Sequence, residues 1–164
     1  MQRRSAAAQI LGLIGWLAVA FATAAVGAAA SIQAASFYAQ LARPSWAPPG
    51  GVFAPVWTTL YTLMGLAAWL AWREGGQRIR IPLALFVTQL VANALWSWLF
   101  FGWHLGAWAA AEVLVLLALI AATLVGFWRV RPLAGLLLVP YLAWVAFASA
   151  LTWSVWRNNP GALG

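Results

Sequence analysis

Cysteine, lysine and aspartate are absent from the 164 residues, and the only acids are Glu74 and Glu112. Without cysteine there is no disulfide, thiolate nucleophile or thiolate metal site, and the redox compartment is not legible. One histidine, His104, stands without a second histidine, cysteine or acid at ligand spacing, so no metal site is assigned. No Ser–His–Asp set, phosphate-binding loop or dinucleotide fingerprint occurs, so no catalytic residue is assigned either. Charged residues make up 7% of the chain and hydrophobic residues 65%, which excludes a soluble domain. The ten-residue apolar–polar alternation of a membrane β-barrel is also missing.

What is present is a set of long apolar runs. Five can be drawn, at about 6–30, 52–72, 82–101, 107–128 and 133–156, each near the ~20 residues that carry a helix across a ~30 Å hydrocarbon core. The expected fold is an all-α integral membrane protein, a single domain of five transmembrane helices over 1–164. Arg3 and Arg4 before the first run resemble a secretory signal, but that run exceeds the 7–15 apolar residues of a signal core, so a retained helix is expected. The formal charge of +7 comes from arginine alone. Arg3, Arg4, Arg73, Arg78, Arg80, Arg129 and Arg131 fall on one side of the five-helix topology, and Arg43 and Arg157 on the other. Seven against two places the amino terminus in the cytoplasm if the membrane is a bacterial inner membrane. The basic balance suits anionic lipid headgroups and gives no support to nucleic-acid binding.

Between the first two runs lies a connection of about 31–51 in which Pro44, Pro48 and Pro49 stop a helix and Gly50 and Gly51 allow a turn. It carries Trp46 and leads into a helix whose Trp57, Tyr61, Met64 and Ala68 share one face, as a lid over an aromatic-lined cavity would be written. The third run sets Gln89, Asn93 and Trp96 on one face; two amides in a bilayer must meet protein, water or ligand. Interhelical bonding and anchoring of a ligand both fit. The fifth run aligns Tyr141, Trp144, Ala148 and Leu151 or Thr152. If these faces converge, Trp57, Tyr61, Asn93, Trp96, Tyr141 and Trp144 line one pocket.

Several further positions have local readings. The alanines and glycines of the first run (Gly12, Gly15, Gly27, Ala29 and Ala30 among them) suit close packing, or room for a ligand at its carboxyl end. Pro82 and Pro132 start helices, whereas Pro140 falls inside one, frees the carbonyl of Leu136 and predicts a kink. Trp72, Trp103, Trp128 and Trp156 fall at helix ends, where an interfacial belt accounts for them. Glu112 is the one acid within a run, where it would snorkel to the interface or be protonated.

The pattern YAxLxxPSWxPPxxVFxPVWTxLYTxMG from Tyr38 to Gly65 resembles the translocator protein family, also called tryptophan-rich sensory proteins, and its bacterial members in particular. QLxxNxxWxxxFFG at Gln89–Gly102, Trp108 with an acid four residues on, PYLAWxAFAxxL at Pro140–Leu151 and VWRNN at Val155–Asn159 extend the likeness over about Phe37 to Asn159. The resemblance implies a five-helix, usually dimeric protein whose cavity opens beneath the first connection. It implies porphyrin ligands (protoporphyrin IX or haem, not covalently held), other flat apolar molecules, and for mitochondrial relatives cholesterol. Carried over, the pocket comprises Trp57, Asn93, Trp96, Trp108, Trp144, Ala148 and Leu151, with Tyr38 and Trp46 from the connection and Trp57 and Asn93 as hydrogen-bonding pair.

Three departures qualify what is carried over. Phe37 stands where the family often has tryptophan, against tryptophan-dependent porphyrin breakdown, and Thr152 replaces a usual asparagine. The sterol pattern fails before Arg157, where Trp153 occupies its tyrosine position. The leading expectation is a membrane binding protein that captures porphyrin for transport, sensing or disposal. The alternatives are an enzyme that degrades porphyrin oxidatively or with light, and a small proton-coupled multidrug exporter using Glu112.

Overall fold

The computed structural model describes residues 5–164; Arg3 and Arg4, part of the charge reading, lie outside the described residues. Seven helices occur among them, five of which cross the bilayer. They are α1 (Ala6–Ala30), α2 (Ala34–Gln40), α3 (Phe53–Glu74), α4 (Arg80–Ser97), α5 (Gly106–Val130), α6 (Pro132–Leu136) and α7 (Val139–Asn158). The apolar spans run Ala6–Ala30, Gly50–Glu74, Gln77–Gly102, Gly106–Val130 and Pro132–Asn158, with no strand among the described residues. The protein is therefore an all-helical integral membrane protein, as its apolar runs dictate.

The first connection differs from the expected plain loop. Its first part, ahead of Pro44, forms the short helix α2, and only the proline stretch is irregular. The seven residues AASFYAQ contain neither glycine nor proline, a local composition that the glycine and proline count of the whole connection conceals. Pro140 acts as expected: α6 stops at Leu136, the residue whose carbonyl the proline ring frees, and Pro140 enters the first turn of α7.

Small residues set how closely the helices approach. A Cβ on Gly135 would lie 2.8 Å from Trp128 Cβ and 2.9 Å from its backbone nitrogen, and one on Gly65 would lie 3.0 Å from Leu17 Cα. Gly12 receives the ring of Trp72. Near the other end of α1, Ala29 and Ala30 line a cavity of about 550 Å³ with Phe37, Trp98, Phe101 and His104. The small residues of α1 thus serve packing at one end and leave space at the other. Of the four presumed belt tryptophans, Trp103 and Trp128 are exposed, while Trp156 packs against the core and meets Gly106.

The buried side chains form two clusters. The larger is built around Met64, Phe86, Ile120, Phe127 and Tyr141; the smaller, at the end of the bundle below the first connection, joins Leu41, Phe100, Ala109, Leu151, Val155 and Leu163. Trp96 packs against both. At the opposite end Arg131 Nη1 reaches Glu74 Oε1 at 2.8 Å and ties the α3–α4 and α5–α6 connections together. Both partners are about a third exposed, so the pair fixes geometry more than it adds stability.

Candidate functional site beneath the first connection

The aromatic faces of α3 and α7 and the amide face of α4 do converge. Tyr61 donates its hydroxyl hydrogen to Asn93 Oδ1 at 2.5 Å, and Asn93 Nδ2 donates to the Tyr141 hydroxyl at 2.9 Å. Tyr141 in turn donates to Gln89 Oε1 at 2.7 Å, and Gln89 Nε2 points to Met64 Sδ at 3.9 Å. All five residues are buried. Two readings of the α4 amides were open; in this structure Asn93 joins α3, α4 and α7, each amide group meeting a tyrosine hydroxyl. In hydrocarbon such bonds are worth ~0.6–2 kcal/mol each.

An aromatic wall rises from this network toward the first connection. Trp57 lies 5.6 Å from Tyr61 and 6.2 Å from Tyr141 between ring centroids. Phe53, one helical turn before Trp57, meets Trp144 at 6.0 Å and Tyr38 at 5.3 Å, both edge-on. Trp144 lies 5.5 Å from Phe147, which receives Trp46 edge-on at 5.7 Å. The rings of the connection, of α3 and of α7 thus pack into one continuous aromatic cluster, with Trp46 half-exposed above it.

The connection is held in place by polar contacts at both ends. Tyr38 donates to the carbonyl of Pro48 at 3.0 Å, and Arg43 covers the Tyr38 ring at 4.6 Å. Asn159, at the end of α7, accepts from the Ala42 N–H at 2.8 Å and donates to the Ala42 carbonyl at 2.9 Å. Its Nδ2 also donates to the Val155 carbonyl at 2.7 Å, which aims the amide. This two-way clasp fastens the proline stretch over the aromatic wall.

The other expected positions are distributed as follows. Leu151 is buried in the smaller cluster, and Ala148 is half-buried one turn beyond Trp144. Trp108 does not join the wall: it stands 67% exposed on the outer surface of α5, a quarter-turn away from the buried Ala109. Glu112 does not snorkel, since both carboxylate oxygens are covered and meet no hydrogen-bond partner. Phe53, Phe147 and Asn159 belong to the site without having been singled out as site residues. Phe53 continues the Trp57–Tyr61 stripe one turn back and Phe147 stands three residues after Trp144, so both were within reach of the periodicity; the clasp of Asn159 across the fold was not.

No group of three or more acidic, histidine or cysteine side chains is poised for a metal ion among the described residues. The site offers flat aromatic surface, a few amide and hydroxyl groups and a fastened cover. Flat aromatic surface of this kind can stack against planar apolar groups.

The model of the TspO/MBR family matches residues 10–157. The translocator protein of Homo sapiens is 44% identical over 131 residues, which cover 78% of this chain and 78% of that protein. Protein CrtK of Rhodobacter capsulatus is 40% identical over 146 residues, 85% of this chain and 89% of its own length. The tryptophan-rich protein TspO of Chlorobaculum tepidum is 37% identical over 155 residues, 93% and 98% of the two chains. With nearly every residue inside the family match and relatives similar along most of their length, the chain belongs to the TspO/MBR family.

Proposed function

We propose that the protein captures a porphyrin, protoporphyrin IX or haem without covalent attachment, or a similarly flat apolar molecule, for transport, sensing or disposal. The observation that carries this reading is the aromatic cluster of Trp57, Trp144, Phe53 and Phe147 beneath a connection fastened by Asn159. A macrocycle stacks on indole faces, and the Tyr61–Asn93–Tyr141 network supplies a polar floor. The small-molecule partner, the bilayer and a second copy of the chain are the expected associates. Titration of the purified protein with protoporphyrin IX tests the reading: saturable quenching of tryptophan emission is expected, with an unchanged porphyrin absorption spectrum over time. Progressive loss of the Soret band would favour the degrading enzyme, and absence of saturation would remove the ligand.

The clasp gives a prediction of its own. Asn159→Ala removes two bonds to Ala42, so the cover should open more often and porphyrin dissociation should quicken by about three- to tenfold. Stopped-flow release into excess apomyoglobin measures this; an unchanged off-rate means the cover does not gate the site.

Orientation is proposed on charge. Arg73, Arg78, Arg80, Arg129 and Arg131 share the end marked by the Arg131–Glu74 pair, and Arg43 and Arg157 share the end marked by Asn159 and Ala42. We place the arginine-rich end in the cytoplasm, with the amino end of α1 on that side and the cover on the far side. Reporter fusions at the two termini should read opposite compartments, the amino one cytoplasmic; the reverse pair of signals refutes this orientation.

A further inference from the structure

Three side-chain atoms are buried without a hydrogen-bond partner among the described residues: Trp96 Nε1 and both oxygens of Glu112. They belong to two helices packed side by side. Pro82 of α4 lies against Gly126 of α5, where a Cβ would meet the proline ring at 3.1 Å. The short turn between α4 and α5 makes the helices antiparallel, so moving fourteen residues along one and fourteen back along the other keeps both on the same face. That step leads from Pro82 to Trp96 and from Gly126 to Glu112. The orphaned indole N–H and the orphaned carboxylate are therefore level with each other across the α4–α5 seam.

Trp96 stands one turn after Asn93, whose amide meets the Tyr141 hydroxyl at the polar floor. The Trp96 ring is fixed by stacking on Phe100 at 5.4 Å and by the edge of Phe101 at 5.8 Å. Among the described residues no cation neutralises the carboxylate: Arg131 is engaged by Glu74 at the far end of α5, and Arg157 is exposed near the level of Gly106, about 9 Å of helix away. A buried acceptor that can carry charge and a buried donor at its level on the neighbouring helix are each costly to leave unmet. Intramembrane acids of this kind mark binding or transport paths.

We propose that Glu112 and Trp96 form a recognition site for lipophilic amines that carry an oxygen next to the ammonium group, such as aryl amino alcohols. The ammonium N–H donates to the carboxylate and neutralises it, while the hydroxyl or ether oxygen accepts from the indole N–H. Glu112 is half-buried as a residue and Trp108, one turn before it, is exposed, so the aryl part enters sideways from the bilayer. The site does not require the porphyrin reading, and it uses an element of α5 that the aromatic cluster leaves unused.

The test uses the full chain in neutral detergent and two probes of matched shape. Propranolol carries the secondary ammonium and hydroxyl; 3-(1-naphthyloxy)propane-1,2-diol replaces the amine by a second hydroxyl. Equilibrium dialysis should show propranolol bound about tenfold or more tightly than the diol by the parent. Glu112→Gln should reduce that preference below about threefold with diol affinity unchanged. Trp96→Phe should weaken both probes by about threefold and keep the preference. Equal binding of the two probes by the parent overturns the proposal, as does a preference that survives Glu112→Gln; the carboxylate then keeps only water. Protoporphyrin IX affinity measured in the same Glu112→Gln protein should stay within about threefold, so loss of the amine site and loss of the porphyrin site are read separately.

Discussion

Asn93→Leu should lower stability by about 2 kcal/mol although leucine matches asparagine in size and suits hydrocarbon better. The sequence alone supports the opposite sign, because an unmet amide in a bilayer is costly and its removal should help. In the structure the amide is met on both sides: Tyr61 donates to its oxygen and its nitrogen donates to Tyr141. Leucine leaves the Tyr61 hydroxyl, in a side chain only 6% exposed, with no acceptor. Tyr141 loses one bond but still donates to Gln89, so most of the penalty falls on Tyr61. Thermal unfolding in detergent measures the loss, and a double-mutant cycle assigns it. Adding Tyr61→Phe to Asn93→Leu should recover part of the stability, since the unmet hydroxyl is then gone. A leucine variant as stable as the parent would show that the network contributes nothing.

Trp144→Ala should weaken protoporphyrin IX binding by about tenfold or more, ~1.4 kcal/mol, because it deletes the largest flat surface that α7 offers beneath the cover. Trp144 contacts Phe53 and Phe147 and so also holds the wall together. The appropriate control is Trp153→Ala: that indole is 56% exposed and should leave affinity within about twofold. Trp156, an interfacial tryptophan by position, makes a poor control, since it meets Gly106 and packs into the smaller cluster. With both variants folded by circular dichroism, equal affinities sink the placement of ligand on the α7 wall. A larger loss for Trp153→Ala would put the ligand at the outer rim.

The five spans, the break at Pro140 and the make-up of three helix faces were legible because each depends on periodicity or on proline chemistry within one segment; that the faces converge is a relation between segments that spacing does not supply. Tyr61, Asn93 and Tyr141 declared themselves as polar groups that hydrocarbon cannot solvate, but which atom bonds which depends on side-chain directions set by packing. Trp108 shows the limit of carrying roles by motif: its position in the chain matches, and its indole faces outward. Asn159 joined to Ala42 spans 117 residues, a relation that no local spacing encodes. Glu112 was visible as an intramembrane acid, yet whether it reached the interface depended on which side of α5 faces α4. Helix α2 was hidden because the prolines that follow it dominate the composition of the connection.

The division of the interior into two clusters joined through Trp96 gives the molecule two levels of cooperativity. The large cluster, with its tyrosine–amide network, opens only when the helices part. The small one is built from the connection, the ends of α4 and α7 and the start of α5, and can loosen while the large one stays shut. A molecule lodged beneath the cover meets the large cluster through Trp57 and Trp144 and the small one through Phe53 and Phe147, so the ordering it must supply falls mainly on the small cluster. Amide exchange should report this as slowing at Leu41, Phe100 and Val155 on ligand addition, with the centres of α3 and α5 protected equally before and after.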